Sequence, residues 1–164
     1  MIKGFILVAN VYAVEENIPQ SQDYLYLAIQ YATLHDPQQV PSCYNAMGHN
    51  ACMSGQFDKA EEYFMKAIES SKNPENIFGL GKAYTNMNLL YRRKGDFKKA
   101  LDYGLLAEKY FSQIPYQRGV LVNLTGLGIC YSKLGNKDKA IECHSKVLKL
   151  ARENNDVESI GNAY

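Results

Sequence analysis

Apolar residues recur along the chain three to four positions apart, and this pattern itself repeats every 40 residues. With repeats started at positions 41, 81 and 121, apolar side chains occupy the fourth, seventh and eleventh positions, which share one face of an α-helix. The pattern therefore predicts a helix in the first half of each repeat. The residues concerned are Tyr44, Met47, Ala51, Tyr84, Met87, Tyr91, Leu124, Leu127 and Tyr131.

A phrase that begins with glycine follows each of these helices and predicts a tight turn into a second helix. It reads Gly-Gln-Phe-Asp-Lys-Ala from position 55, Gly-Asp-Phe-Lys-Lys-Ala from 95 and Gly-Asn-Lys-Asp-Lys-Ala from 135. Asp58 and Asp138 stand where a carboxylate favours a helix N-terminus. Ala60, Ala100 and Ala140 let the two helices approach closely. Each repeat is thus predicted to be an antiparallel hairpin that buries its apolar face by stacking on its neighbours.

The N-terminal segment reads as a divergent first repeat at 2–40, one residue shorter than the others. Glu16 stands in place of the turn glycine, and Pro19 falls in the first turn of the second helix, where its missing N–H is harmless. The residues from Leu34 to Pro41 are expected to link this repeat to the next.

Four residues at the end of the chain, 161–164, repeat the start of the third repeat and would begin a fifth. We therefore expect a single array with repeats at about 2–40, 41–80, 81–120 and 121–160, excised from a longer protein. Its C-terminal repeat would be uncapped, and the apolar surface left there favours end-to-end self-association. The alternative is a complete protein whose last half-repeat frays.

The repeated positions resemble the tetratricopeptide repeat, whose motif is W-x2-L-G-x2-Y followed by A-x3-F and A. The best matches are Tyr44, Met47, Gly48, Ala60, Phe64 and Ala67 in one repeat, and Leu124, Leu127, Gly128, Tyr131 and Ala140 in another. Departures are the missing Trp, Ala51 for Tyr, Asn88 for Gly, and Gly104 and His144 for Phe. The resemblance implies an all-α fold, a right-handed superhelical solenoid of antiparallel helical hairpins.

The repeat length of 40 residues, against the usual 34, is similar to that of two groups in the family. One is the repeats of cell-polarity and spindle-orientation scaffolds. The other is the helical sensor regions of bacterial signalling proteins and peptide-responsive transcription regulators.

Composition narrows the partners that such an array could take. The 164 residues include 18 basic and 17 acidic ones, so nothing in the net charge of +1 favours nucleic acid or an anionic membrane. No stretch approaches the ~20 apolar residues of a membrane span. Cys43, Cys52, Cys130 and Cys143 lack metal-binding spacing and are expected to be buried thiols, which favours a cytoplasmic location.

The family resemblance implies a ligand groove lined by the first helix of each hairpin. The polar residues at the corresponding positions, taken as the peptide-binding groove, are Asn10, Asn45, His49, Lys82, Asn86 and Arg92. Asn side chains can bond both the donors and the acceptors of an extended peptide backbone. The alternative is that these side chains are simply solvated.

Two more specific binding modes receive less support. Some family members hold a C-terminal carboxylate between Lys, Asn, Asn, Lys and Arg, but here only Asn10 and Lys82 match, so this clamp is not expected. Basic residues gather between Arg92 and Lys99 and could attract an acidic segment. Cations at a helix end also suit the helix macrodipole, and a solvated hairpin tip explains them as well.

No phosphate-binding loop, nucleophile elbow or metalloprotease motif is present, and no cofactor or metal is expected. His49 and Cys52 stand three residues apart and could form a nucleophile pair, yet no acid is in view to orient the histidine. The sequence therefore predicts a non-catalytic module that binds a protein or peptide segment. The alternative is a sensor or regulatory domain of a bacterial signalling enzyme or of a peptide-responsive transcription regulator.

Overall fold

The computed structural model describes residues 1–15, 17–72 and 76–153, and this part of the chain folds into paired helices without a β-strand. The predicted all-α fold of stacked hairpins is confirmed. In chain order the helices are α1 (Ile2–Val14), α2 (Ile18–His35), α3 (Val40–Met53), α4 (Phe57–Ser70), α5 (Ile77–Lys94), α6 (Phe97–Phe111), α7 (Gln117–Lys133) and α8 (Lys137–Glu153). Each odd-numbered helix packs against the helix that follows it, and the hairpins stack in sequence order.

The repeated glycine has a backbone conformation that explains its recurrence. Gly55, Gly95 and Gly135 have φ angles of +74°, +82° and +82°, in the left-handed region that residues with a Cβ rarely adopt. Each ends the first helix of a hairpin. In the third hairpin the carboxylate of Asp96 then accepts a hydrogen bond from the backbone N–H of Lys99 at 3.0 Å, which caps α6.

In the second and third hairpins, a small residue of one helix faces a larger residue of the other. In the second hairpin a methyl group added to Gly48 would lie 2.5 Å from Cδ1 of Phe64, so only glycine leaves room for the ring. In the third hairpin the sizes are exchanged, because Asn88 of the first helix packs against Gly104 of the second. Asn88 and Gly104 both depart from the motif, and in size the two departures compensate each other.

Asn88 fills the space between the two helices with a side chain that also makes hydrogen bonds. Its side chain is 1% exposed; its Nδ2 donates to the carbonyl of Ala100 at 2.7 Å, and its Oδ1 accepts from Nε of Arg92 at 3.0 Å. The same Nδ2 lies 3.5 Å from Sγ of Cys130 in the next hairpin. This buried amide thus joins both helices of its own hairpin to the one that follows.

Two expectations about segment boundaries need correction or lie outside the described residues. The expected link from Leu34 to Pro41 is much shorter, because α2 continues to His35 and α3 begins at Val40, with a single 3₁₀ turn at Pro37–Gln39 between them. The proposed glycine replacement at Glu16 and the start of a fifth repeat at 161–164 fall on residues that the structure does not describe.

None of the helices in the described part of the chain is both long and apolar enough to cross a membrane.

Candidate functional site

A groove of about 780 Å³ runs across the first helices of the four hairpins. Five of the six residues that the sequence predicts for ligand binding line it, coming from α1, α3 and α5: Asn10, Asn45, His49, Lys82 and Asn86. Side chains from three successive hairpins therefore meet at one surface. This is what a stack of equivalent helices produces, since the same register position faces the same side in every repeat.

Two amides form the centre of this wall. Nδ2 of Asn86 donates to Oδ1 of Asn45 at 2.9 Å, which connects α5 to α3. Asn45 is only 3% exposed, and its own Nδ2 has no hydrogen-bond partner among the described residues. A buried amide nitrogen without an acceptor is costly, so this group is a candidate donor to a ligand in the groove once the side chain turns toward it.

The groove also carries positive charge beside the amides. Lys82 of α5 is half-buried, and its ammonium group stands 5.5 Å from the centre of the Phe78 ring. Burial lowers the pKa of Lys82, and the nearby charge of Arg118 on α7 lowers it further. Lys3 of α1 lines the same groove. Among the residues that the structure describes, no Asp or Glu lines it.

His49 stands at the surface of the groove but is crowded by its wall. Desolvation lowers the pKa of its imidazole, a hydrogen bond with Asn50 opposes this, and the positive charges of Lys82 and Arg93 add to the lowering. The ring is therefore neutral at physiological pH, where it can both donate and accept a hydrogen bond.

The structure places Arg92 apart from the other predicted groove residues. Arg92 does not line the groove, and Nε of its guanidinium donates to Asn88 within the hairpin core. Burial lowers the pKa of this guanidinium. Its assignment to the peptide-binding set stays a prediction.

Phe78 and Arg118 line the groove but were missed by the sequence reasoning. They lie in the first turns of α5 and α7, ahead of the positions 81 and 121 at which the repeats were started. The sequence did contain a signal for the earlier start of α5, namely Asn76, a residue type that often caps a helix. Oδ1 of Asn76 caps this helix by accepting a hydrogen bond from the backbone N–H of Gly79 at 2.8 Å.

The other candidate, a nucleophile pair of His49 and Cys52, lacks the required geometry. Cys52 is fully buried in the core formed by α3, α4 and α5, and burial raises the pKa of its thiol. A thiol in this setting is protonated and out of reach of a substrate. Within the described residues, no three His, Cys, Asp or Glu side chains are grouped so that they could hold a metal ion.

Comparison with known sequences assigns the repeats to a family. Family models described as "Tetratricopeptide repeat" match residues 80–153 and 42–74. Among curated proteins, the chain is 32% identical over 123 residues to "Protein CTR9 homolog" of Arabidopsis thaliana, a match that covers 72% of this chain and 10% of that protein. It is 30% identical over 98 residues to "Response regulator aspartate phosphatase J" of Bacillus subtilis (strain 168), which covers 58% and 26%. The matches thus span about a tenth and a quarter of these relatives.

Solved structures show the same fold. The chain superposes on aspartyl phosphate phosphatase F from Bacillus subtilis with a TM-score of 0.87, at 20% identity, over 99% of this chain and 43% of that one. A Rap protein complexed with Competence and Sporulation Factor gives a TM-score of 0.84 at 24% identity, over 99% and 46%. Together with the two matching family models and the stacked hairpins, these likenesses show that the chain belongs to the tetratricopeptide repeat family.

Proposed function

We propose that the groove binds an extended segment of polypeptide and that the chain is a non-catalytic binding module. The observation that carries this proposal is the amide pair at the centre of the groove. Asn86 is bonded to Asn45, whose buried Nδ2 has no acceptor in the described part of the chain. A peptide backbone offers a carbonyl oxygen to the Asn45 donor and an N–H to the side-chain oxygen of Asn86.

The breadth of the groove supports a peptide over a small molecule. Its lining extends from Asn10 on α1 to Arg118 on α7 and so covers all four hairpins. Apolar side chains, Leu7 and Phe78 among them, are exposed beside the polar row and can receive the side chains of an extended segment. One solved Rap protein of this fold is a complex with Competence and Sporulation Factor, which is consistent with a ligand-binding role.

The absence of catalysis is part of the proposal. The cysteine nearest to His49 along α3 is Cys52, whose thiol is buried and has a raised pKa. One relative is named a phosphatase, but the match covers 26% of that protein. We therefore assign any enzymatic output to segments other than the repeat array described above.

A display library of random octapeptides, selected on the immobilised chain, tests binding directly. The peptide recovered would then be titrated by calorimetry against the parent chain and against Asn45→Ala, Asn86→Ala and Lys82→Ala. We expect each amide variant to bind about tenfold or more weakly, since a lost hydrogen bond of ~1.4 kcal/mol corresponds to that factor.

Gln30→Ala is a matched control, because Gln30 is exposed on α2 and does not line the groove. Circular dichroism would verify that each variant is folded. Recovery of no peptide, or equal affinity for the parent and all three groove variants, would remove the proposed function.

A regulatory role in a bacterial signalling protein is the second candidate. It is favoured by the 30% identity to response regulator aspartate phosphatase J. Under this proposal residues 1–164 are a single array fragment of a longer chain, and the ligand bound in the groove controls an output encoded elsewhere in that chain. Sequencing the gene on both sides of this region tests the idea. Flanking segments that encode no signalling or DNA-binding domain would count against it.

We also propose that the module is cytoplasmic and that copies associate end to end at high concentration. Cys43, Cys52, Cys130 and Cys143 are buried free thiols, as expected in a reducing compartment.

Apolar residues are exposed at both ends of the described array, with Val11 57% exposed on α1 and Ile141 65% exposed on α8. Sedimentation velocity over a range of concentrations should show assembly that Ile141→Lys reduces. A parent chain that stays monomeric at millimolar concentration would exclude it.

A further inference from the structure

The end of the groove formed by α5 and α7 has an excess of positive charge that the protein does not balance. Lys82 and Arg118 line it, and no carboxylate side chain of the described residues does. The ion pairs of the described residues involve other lysines, and neither Lys82 nor Arg118 takes part in one. These two cations therefore face the groove without a counter-charge from the described part of the protein.

The environment of Lys82 makes this imbalance costly. Its side chain is half-buried, lies over the Phe78 ring and is repelled by Arg118, and desolvation together with that repulsion lowers its pKa. A partly desolvated charge gains more from an opposite charge than a fully hydrated one does, because the effective dielectric constant around it is lower. An anion placed between the two cations would relieve both the desolvation and the repulsion.

The chemistry of the two side chains suits a carboxylate. The guanidinium of Arg118 offers a planar fork for two carboxylate oxygens, while the ammonium of Lys82 acts as a point charge with three donors. Lys82 precedes Asn86 by four residues on α5, so the two side chains lie on the same face with Cβ atoms about 5–6 Å apart. The cations are thus next to the amide pair that would hold a peptide backbone.

We propose that the groove recognises a polypeptide segment that presents a carboxylate to Lys82 and Arg118. The inference rests on the binding function proposed above and adds the charge of the ligand and its register. Since an extended chain advances about 3.3 Å per residue, the carboxylate belongs within about two residues of the peptide group bonded at Asn86. Lys82 is one of the two residues that match the carboxylate clamp considered from the sequence, whereas Arg118 lies outside the clamp positions, so the pair differs from that clamp in its second cation.

A carboxylate in a peptide comes from an Asp or Glu side chain or from the C-terminus, and a peptide series separates the two sources. The octapeptide recovered from the library would be synthesised with its acidic side chains changed to amides, with its C-terminus amidated, and with both changes. Each form would be labelled with fluorescein at its N-terminus and titrated by fluorescence anisotropy. We expect one of the two single changes to weaken binding at least tenfold.

Protein variants then locate the carboxylate. Lys82→Met keeps the apolar stem over Phe78, and Arg118→Gln keeps hydrogen-bonding capacity. Each variant should bind the acidic peptide about tenfold more weakly than the parent chain does. The affinity of each for the neutralised peptide should be unchanged. Lys98→Met is the matched control, because Lys98 is exposed at a hairpin tip and does not line the groove.

Two results would overturn the proposal. One is equal affinity for all four peptides, and the other is a loss of affinity in Lys98→Met as large as that in Lys82→Met, which would indicate non-specific attraction. If in either case Asn45→Ala still weakens binding, the peptide-binding function stands and only the carboxylate site fails. If no peptide binds at all, both fail.

Discussion

Replacing Gly48 with alanine tests how tightly the hairpins pack. Gly48 of α3 and Phe64 of α4 face each other, and a Cβ at position 48 would lie 2.5 Å from Cδ1 and 3.0 Å from Cζ of the phenylalanine ring. Real Cβ atoms essentially never come this close to a neighbour, so the ring or a helix has to shift. Phe64 is fully buried among the core residues of α4 and α5, so a shift of its ring disturbs the packing of its neighbours.

The magnitude follows from two opposing effects. Overpacking of a well-filled core costs about 1–3 kcal/mol, whereas alanine stabilises a helix relative to glycine by up to ~1 kcal/mol. We expect a net loss of about 1–2 kcal/mol in the free energy of unfolding. For a chain of this size that corresponds to a fall in Tm of about 2–8 °C.

Gly4→Ala is the matched control, because it makes the same chemical change in α1 at a position where an added methyl would meet nothing within 4 Å. There the helix-propensity gain should appear alone, as a rise of about 0.5–1 kcal/mol. Both variants would be followed by circular dichroism at 222 nm during thermal and urea unfolding. The reasoning is refuted if Gly48→Ala is as stable as Gly4→Ala.

Three further changes probe the rest of the array. Asn88→Ala removes a buried amide and leaves the carbonyl of Ala100 without this donor, so it should cost about 1–3 kcal/mol in urea unfolding; an unchanged midpoint would contradict the bond. Gly95→Ala forces a Cβ into a φ of +82° and should cost about 1–2 kcal/mol by the same measurement, and a stability gain would contradict the role of the turn. Hydrogen bonds from Lys94, and to a smaller extent from Tyr91, lower the pKa of Glu61. Its ionised form therefore stabilises the fold at pH values above its ordinary pKa, and this contribution is lost as pH falls through the lowered pKa. Glu61→Gln should therefore lower Tm more at pH 7 than at pH 3, with a loss of at most ~1 kcal/mol at pH 7 because the carboxylate is partly exposed. An equal loss at both pH values would rule out the charge effect.

Much of the fold could be predicted from the sequence because packing and backbone geometry leave few choices at the repeated positions. The apolar spacing marks the faces that the hairpins bury. Gly55, Gly95 and Gly135 recur because a left-handed turn residue is needed at the end of each first helix. The starts of α5 and α7 were missed, since they are set by residues ahead of the motif, such as the Asn76 cap, and capping residues are common in loops as well.

The compensating exchange in the third hairpin could not be predicted from the chain alone. Asn88 and Gly104 each depart from the motif, and taken singly each suggests a weakened repeat. In the structure they face each other, so the space that a ring fills in the second hairpin is filled by an amide that also makes hydrogen bonds. Size complementarity is a property of the pair, and only the fold shows which residues are paired.

The candidate site illustrates why residue type alone does not identify ligand-binding residues in this array. Asn88 and Asn45 are both buried amides on first helices. The polar atoms of Asn88 are bonded to Ala100 and Arg92 within the protein, and the residue acts in packing. Asn45 accepts a bond from Asn86 but retains a donor that the described residues leave unused, and it does so in the wall of a groove. The register of the repeat decides this difference, because one position turns the amide toward the partner helix and the other toward the groove. Oδ1 of Asn123 and Nδ1 of His144 are also buried without a partner among the described residues, yet neither residue lines the groove. An unused buried donor therefore points to the site only where it also lies in the groove wall, as Asn45 does.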